Sequence, residues 1–257
     1  MLDYAAFPKQ RQLLLTERLQ INGKLVCSEL AEEFGVSEHT IRRDIIELSK
    51  LGICKKVYGG AIVVSPAQGS IAERASKIEH EKRLIAQAAI KLISPGSTIF
   101  LDSGTTNLAI VHSLPSEINI TLITNSIPIA NEALRLPNIE LILLGGKVTK
   151  SVGGALNADA QSELSKMFID MCFIGICAFS PEHGITGFNY DDACFKRALV
   201  KQSGQLIAAV SHEKYETIAK HKVVGLEGVS DLILCKEKLS RKQLGELNIP
   251  GLAVHLV

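Results

Sequence analysis

From about residue 97 onward, apolar positions gather into short unbroken runs, separated by loops of small residues and by longer stretches with helical spacing. The runs fall at 98–101, 120–124, 139–144, 171–176, 206–210 and 231–235, and the helical stretches at 106–114, 127–134, 158–167 and 191–202. Runs of Ile, Leu and Val that do not alternate with polar residues suit strands covered on both faces. The pattern therefore predicts an α/β domain with a mostly parallel sheet. In such a sheet, ligands bind beyond the carboxyl ends of the strands.

Residues 9–64 follow a different pattern. Segment 9–20, with Leu13, Leu14 and Leu19 apolar, runs into Asn22-Gly23, a helix stop; Leu25-Val26-Cys27 is a short extended piece. Ser28 is placed to cap a helix over 29–34 that ends at Gly35. Ser37 then caps the next helix, because its hydroxyl can accept an orphan backbone N–H, and Glu38 adds favourable charge at the positive end. A helix, a short turn containing Gly and a second helix form a helix-turn-helix. At about 100° per residue, Ile41, Ile45 and Leu48 fall on one stripe. His39, Arg43 and Glu47 lie opposite, with Thr40 and Arg42 on the flanks. These outward residues cluster in the first turns, the part of a recognition helix that reaches base edges. The sequence CKKVYGGAIVV that follows reads as a hairpin turning at Gly59-Gly60, with Lys55, Lys56 and Tyr58 in reach of phosphates. SPAQGS, 65–70, breaks the chain, and 71–93 reads as a long connecting helix. The expected division is a winged helix-turn-helix over 1–64, a linker and connecting helix over 65–93, and the larger α/β domain over 94–257.

Composition narrows the partners. The chain has 28 Lys plus Arg against 27 Asp plus Glu, so any anionic partner is met by a local patch and not by global charge. Such a patch exists over 39–60, where Arg42, Arg43, Lys50, Lys55 and Lys56 face only Asp44 and Glu47. The six cysteines include no CxxC pair and no His at metal-ligand spacing, so reduced thiols are expected, with no metal and no cofactor. The N-terminus lacks the basic-then-apolar order of a secretory signal, and apolar runs such as 171–179 are too short to span a bilayer. A cytoplasmic protein without a membrane partner is expected.

The strand ends carry the candidate chemistry. Asp102-Ser103-Gly104-Thr105-Thr106 joins a strand to a helix, and its small residues leave backbone N–H groups free to meet an anion. Thr124-Asn125-Ser126 and Gly145-Gly146-Lys147 follow the next two strands. One such turn is an ordinary helix cap, but three at successive strand ends converge on one rim and favour a small phosphorylated ligand. Asn189 precedes a helix in which Asp192 and Lys196 share a face, and Lys214 follows the strand that ends at Val210.

On these residues the chain resembles a known family. ELAEEFGVSEHTIRRDIIELSKLGICKKVYGGAIVV is similar to the winged helix-turn-helix of the DeoR family of bacterial sugar-metabolism repressors, over roughly 9–64. FLDSGTT, TNS, LLGG, GITGFN with a lysine in the next helix, and Lys214 resemble that family's sensor domain, over about 80–236. The sensor domain is itself similar to ribose-5-phosphate isomerase and senses phosphorylated sugars or polyols. The resemblance implies DNA contacts at Ser37, Thr40, Arg42 and Arg43, while His39 rests on the helical wheel alone. It implies an effector surrounded by Asp102, Ser103, Gly104, Thr105, Thr106, Asn125, Gly145, Gly146, Asn189, Lys196 and Lys214, with Asp102 accepting from sugar hydroxyls and the loop holding the phosphate. Three positions depart from the family pattern: Cys177-Ala178 stand where an acidic residue and Gly are usual, Ser211 stands for an Asp, and Asp192 for a Glu. Losing a rim carboxylate removes the natural base for proton transfer on a sugar. The expectation is a homo-oligomeric repressor of a carbohydrate-utilisation operon that binds a double-stranded DNA operator and is not an enzyme. The alternative is a sugar-phosphate isomerase-like enzyme with an appended DNA-binding module.

Overall fold

The computed structural model describes residues 7–22, 24–51, 53–63 and 80–257. The N-terminal unit contains α1 (Pro8–Asn22), β1 (Lys24–Val26), α2 (Cys27–Phe34), α3 (Glu38–Lys50), β2 (Cys54–Val57) and β3 (Gly60–Val63). Its core joins Leu15 and Leu19 of α1 to Leu30 of α2 and to Ile41, Ile45 and Leu48 of α3. Leu13, predicted to pack, is 65% exposed; in a run of three leucines, Leu15 is the one four residues from Leu19 and on its stripe. Nor does Ser28 cap α2. The helix starts two residues earlier, with Val26 at its N-cap, because the Cys27 N–H donates to Gly59 O at 2.8 Å and the wing sets the entry of the chain. Gly35 ends α2 in the left-handed conformation, φ 63°, as its lack of a Cβ permits. β3 lies between β1 and β2, antiparallel to both. The hairpin turns at Tyr58-Gly59 and not at Gly59-Gly60. Gly60 already belongs to β3, where a Cβ would sit 1.8 Å from Leu25 O.

The C-terminal unit opens with α4 (His80–Ile90). The rest of the predicted 71–93 helix up to residue 79, and the proposed boundary at 64–65, lie outside the described residues. A parallel sheet follows, built from β4 (Thr98–Leu101), β5 (Ile120–Thr124), β6 (Ile139–Leu143), β9 (Ile169–Ile174), β12 (Ser203–Val210), β14 (Asp231–Leu234) and β15 (Ala253–Leu256). Its seven strands stand in the order β15-β14-β12-β9-β4-β5-β6. The sequence reading had six of them and missed β15, whose AVHL is short and interrupted by a histidine. Side chains alternate between two cores, with Ile99 and Leu101 in one and Phe100 in the other. The first core holds α4, α5 (Thr105–His112) and α6 (Ile127–Ala133) against one face of the sheet. The second holds α7 (Ala158–Leu164) and α8 (Tyr190–Gln202) against the other. Because Ile85, Ala86 and Ala89 of α4 are fully buried there, α4 is part of this domain's core.

Two small antiparallel ribbons decorate the carboxyl ends. One pairs β7 (Val148–Thr149) with β8 (Gly154–Ala155). The other joins β10 (Ala178–Ser180), β11 (Gly184–Gly187) and β13 (His221–Val224). Near Leu247, α9 (Arg241–Gly245) leads into β15. Among the described residues no helix is long and apolar enough to cross a membrane.

Candidate nucleic-acid interface and ligand cleft

The helix α3 is built as its sequence reads. Ser37 Oγ accepts from the Thr40 N–H at 3.1 Å and lies 2.9 Å from Thr40 Oγ1, which fixes the first turn. Ile41, Ile45 and Leu48 are buried, leaving Ser37, His39, Arg42 and Arg43 exposed and Thr40 half-buried. Asp44 turns inward and is held by Arg11, whose Nε donates at 2.5 Å and Nη2 at 3.2 Å. Arg42 and Arg43 rest against Glu38 and Glu47, at 2.6 and 4.0 Å. All four side chains are exposed, so these pairs are weak, salt-screened and open to exchange for phosphate oxygens. A groove of about 280 Å³ runs between α3 and the hairpin, lined in part by Arg42, Lys56 and Tyr58. Lys56 and Tyr58 are exposed; Lys55 lies on β2, and its side chain is outside the described residues.

The second site is a cleft of about 210 Å³ at the carboxyl ends of the strands, lined by Ser103, Gly104, Ser151, Val152, Ile176, Cys177, Phe188, Asn189, Asp192, Lys196 and Lys214. Ser103 and Gly104 lead into α5, whose N-terminus has no side-chain cap because Gly104 occupies that position. The opening amides of α5, with the helix dipole behind them, are thus left without a side-chain acceptor, an arrangement that suits an anion. Thr106 Oγ1, in the same turn, is buried without a hydrogen-bond partner among the described residues. Thr105 is buried beside it. Asn125 sets the loop: its Oδ1 accepts from Ser103 N–H at 3.2 Å and Ser103 Oγ at 3.1 Å, and its Nδ2 donates to Ala155 O at 3.3 Å.

Behind the cleft sits a buried ionic triad. Lys196 Nζ donates to Asp102 Oδ2 at 2.5 Å and to Asp192 Oδ1 at 2.9 Å. Asp102 also accepts from Ser103 N–H at 2.8 Å and Gly175 N–H at 2.9 Å. Gly175 is required here, since a Cβ would lie 2.4 Å from Ser103 O. Burial alone would lower the Lys196 pKa, but Asp102 and Asp192 outweigh it and hold the ammonium above its ordinary range. Burial raises the Asp102 pKa, with Lys196 opposing. Cys177 Sγ donates to Asp192 Oδ2 at 3.4 Å, and its thiol is pushed up to about 11 by burial and by Asp192.

Of the predicted effector residues, Ser103, Gly104, Asn189, Lys196 and Lys214 line the cleft. Asp102, expected to meet sugar hydroxyls, has no exposure and is set one layer back, behind Lys196. Thr105, Thr106 and Asn125 shape the loop from within, whereas Gly145 and Gly146 are exposed beyond β6 and off the cleft lining. Gly146 takes a left-handed φ of 124° against Asn157. Sequence reasoning missed Ser151 and Val152, from the tip of the β7–β8 ribbon, as well as Ile176 and Phe188. Two-residue strands leave no periodicity to read; the only local signal was Gly153-Gly154.

Residues 11–67 match the model of the DeoR-like helix-turn-helix domain, and residues 77–234 match that of the DeoR C terminal sensor domain. The HTH-type transcriptional regulator GolR of Listeria innocua is 31% identical, over 97% of this chain and 99% of the relative. The glycerol-3-phosphate regulon repressor of Escherichia coli K12 is 30% identical, over 80% of this chain and 82% of its own. Among solved structures, ribose 5 phosphate isomerase A from Neisseria gonorrhoeae overlaps 55% of this chain and 54% of its own, at 13% identity and a TM-score of 0.40.

Proposed function

The chain belongs to the DeoR family, and on that premise we propose that it is a sequence-specific repressor of a carbohydrate-utilisation operon, controlled by a phosphorylated sugar or polyol. It is a regulator and not an enzyme, as its relatives are named. The observation that carries the DNA reading is α3 itself, capped by Ser37 and packed through Ile41, Ile45 and Leu48, so that His39, Arg42 and Arg43 point outward together. Thr40 sits on the flank of that face, and Lys56 and Tyr58 of the wing, with Lys55 beside them in sequence, supply phosphate contacts. The wing and the helix act on one double-stranded operator, and a palindromic operator requires a two-fold homo-oligomer.

The uncapped start of α5 with Lys214 nearby supports a phosphate, and Asn189 supplies a polar partner for hydroxyls. That a relative is named for a glycerol-3-phosphate regulon supports a ligand of this class. Both buried carboxylates are committed to Lys196, which leaves neither free as the base an isomerase needs. Two measurements test the reading. In a gel shift with DNA from upstream of the chain's own reading frame, Arg43→Ala should weaken binding by about 1–3 kcal/mol with an unchanged melting temperature. Equal binding by mutant and parent refutes the DNA face. In a thermal-shift screen of sugar and polyol phosphates, a true effector at 100 times its Kd adds about 2.7 kcal/mol, or roughly 5–11 °C. A screen without any shift refutes the ligand class.

A further inference from the structure

The turn that carries Lys214 is tied to the helix that leads back toward the DNA-binding unit. Ser211 follows β12, and His212–Lys214 form one turn of 3-10 helix. Inside that turn Lys214 N–H donates to Ser211 O at 2.9 Å, and Thr217 Oγ1 donates to Lys214 O at 2.6 Å. The first N–H of the turn, that of His212, is left for an outside acceptor. It donates at 2.7 Å to Glu81 Oε1, from the first turn of α4. Glu81 lies 131 residues away in sequence and only 18 beyond Val63, where the described wing ends.

The same helix α4 packs against α5, through Ile85, Ala86 and Ala89 beside Ala109 and Ile110. It therefore touches both structures that frame the cleft: α5, whose opening turn is the anion site, and the turn of Lys214. We propose that Glu81 is a positioning residue that docks the start of α4 onto the Lys214 turn, so that anion binding in the cleft and the ordering of α4 reinforce each other. This rests on the reading above that the cleft binds a phosphorylated ligand. By linkage, whatever the anion gains from an ordered Lys214 turn, the docked start of α4 gains from the anion. The start of α4 is continuous in sequence with the connector to the DNA-binding unit, so this is where occupancy of the cleft becomes a signal.

Hydrogen exchange on the full chain, with saturating inorganic phosphate as the probe, tests the proposal. In the parent, phosphate should slow exchange in peptides covering 103–108 and in peptides covering 80–90, the latter by roughly fivefold or more, the low end of ordinary couplings. Glu81→Ala should keep the effect at 103–108 and lose it at 80–90. Glu81→Gln, whose amide oxygen still accepts from His212, should retain both. His212→Pro removes the donor from the other side, at a helix-start position that tolerates proline, and should reproduce Glu81→Ala. A merely structural role would lower baseline protection of α4 without erasing the phosphate-dependent increment. Persistence of that increment in Glu81→Ala, or its loss in Glu81→Gln, overturns the proposal and leaves the ligand reading intact. No effect at 103–108 in the parent overturns the ligand reading, and the proposal with it.

Discussion

Replacing Lys196 with methionine isolates what one buried cation does for two carboxylates. Methionine keeps much of the apolar stem and deletes the ammonium, which lies 2.5 Å from Asp102 and 2.9 Å from Asp192 with all three side chains no more than 2% exposed. Removing one partner from a buried ionic group leaves an uncompensated charge and costs about 3–5 kcal/mol. At roughly 2–4 °C per kcal/mol for a unit of this size, the melting temperature should fall by roughly 6–20 °C near neutral pH.

The pH dependence has a definite sign. Burial already raises the Asp102 pKa, and losing Lys196 removes the opposing attraction. A carboxyl whose folded pKa is raised costs nothing below its unfolded value of about 3.9, and the cost grows as pH rises from there toward the folded pKa. The deficit of Lys196→Met should therefore shrink between about pH 7.5 and about pH 5. Lys196 itself, held above its ordinary range, contributes stability that is complete below about pH 10.4 and gives no slope in that window. Urea unfolding at both pH values, on Lys196→Met, Asp102→Asn and the double variant, measures the coupling. Asp102→Asn should restore more than about 1 kcal/mol in the Met background by removing the stranded charge. A loss under about 1 kcal/mol, or one equal at both pH values, refutes the account of the triad.

Three further outcomes follow from the same geometry. Arg11→Ala strands Asp44, 3% exposed, with Gln12 at 3.2 Å as its remaining side-chain partner among the described residues, and should destabilise the N-terminal unit by about 3–5 kcal/mol in urea; a loss below about 1 kcal/mol contradicts the buried pair. Gly154→Ala places a Cβ 2.1 Å from Ser103 Oγ and 2.9 Å from Asn125 O. Ser103 must then shift, and affinity for inorganic phosphate by calorimetry should fall about tenfold, or about 1.4 kcal/mol, whereas unchanged affinity would detach Ser103 from the anion site. Cys177, with its pKa near 11, is a neutral thiol at physiological pH. Its alkylation by iodoacetamide, read by mass spectrometry, should be slow at about pH 7.5 and rise about tenfold per pH unit toward pH 10, and rapid labelling near neutrality would refute the placement of this half-buried thiol against Asp192.

The parts legible from sequence were those set by neighbours within a turn or two. The Ser37 cap and the Ile41–Ile45–Leu48 stripe depend on spacings of three and four, and β4 and β5 fall where their apolar runs do. The errors mark where distant chain intervenes. Ser28 lost the cap because Cys27 is bonded to Gly59, and the hairpin turned one residue early because Gly60 must pass close to Leu25.

Sequence by itself determined two architectures, the recognition helix with its outward basic face, and a parallel sheet whose loops gather on one rim. Periodicity reports which side of an element is covered, and parallel strands deliver their carboxyl ends to one edge. Only the tertiary structure decided the partners. Lys196 meets Asp102 across 94 residues, and Arg11 meets Asp44 across 33. Gly154 presses on Ser103, and Glu81 reaches His212. A buried charge must be paired, which the sequence announces, but strand order and helix packing choose the pair. Here β9 stands between β12 and β4, so α8, which leads into β12, delivers Lys196 to the end of the strand that leads into Asp102, and that placement sets Asp102 in the layer behind the cleft.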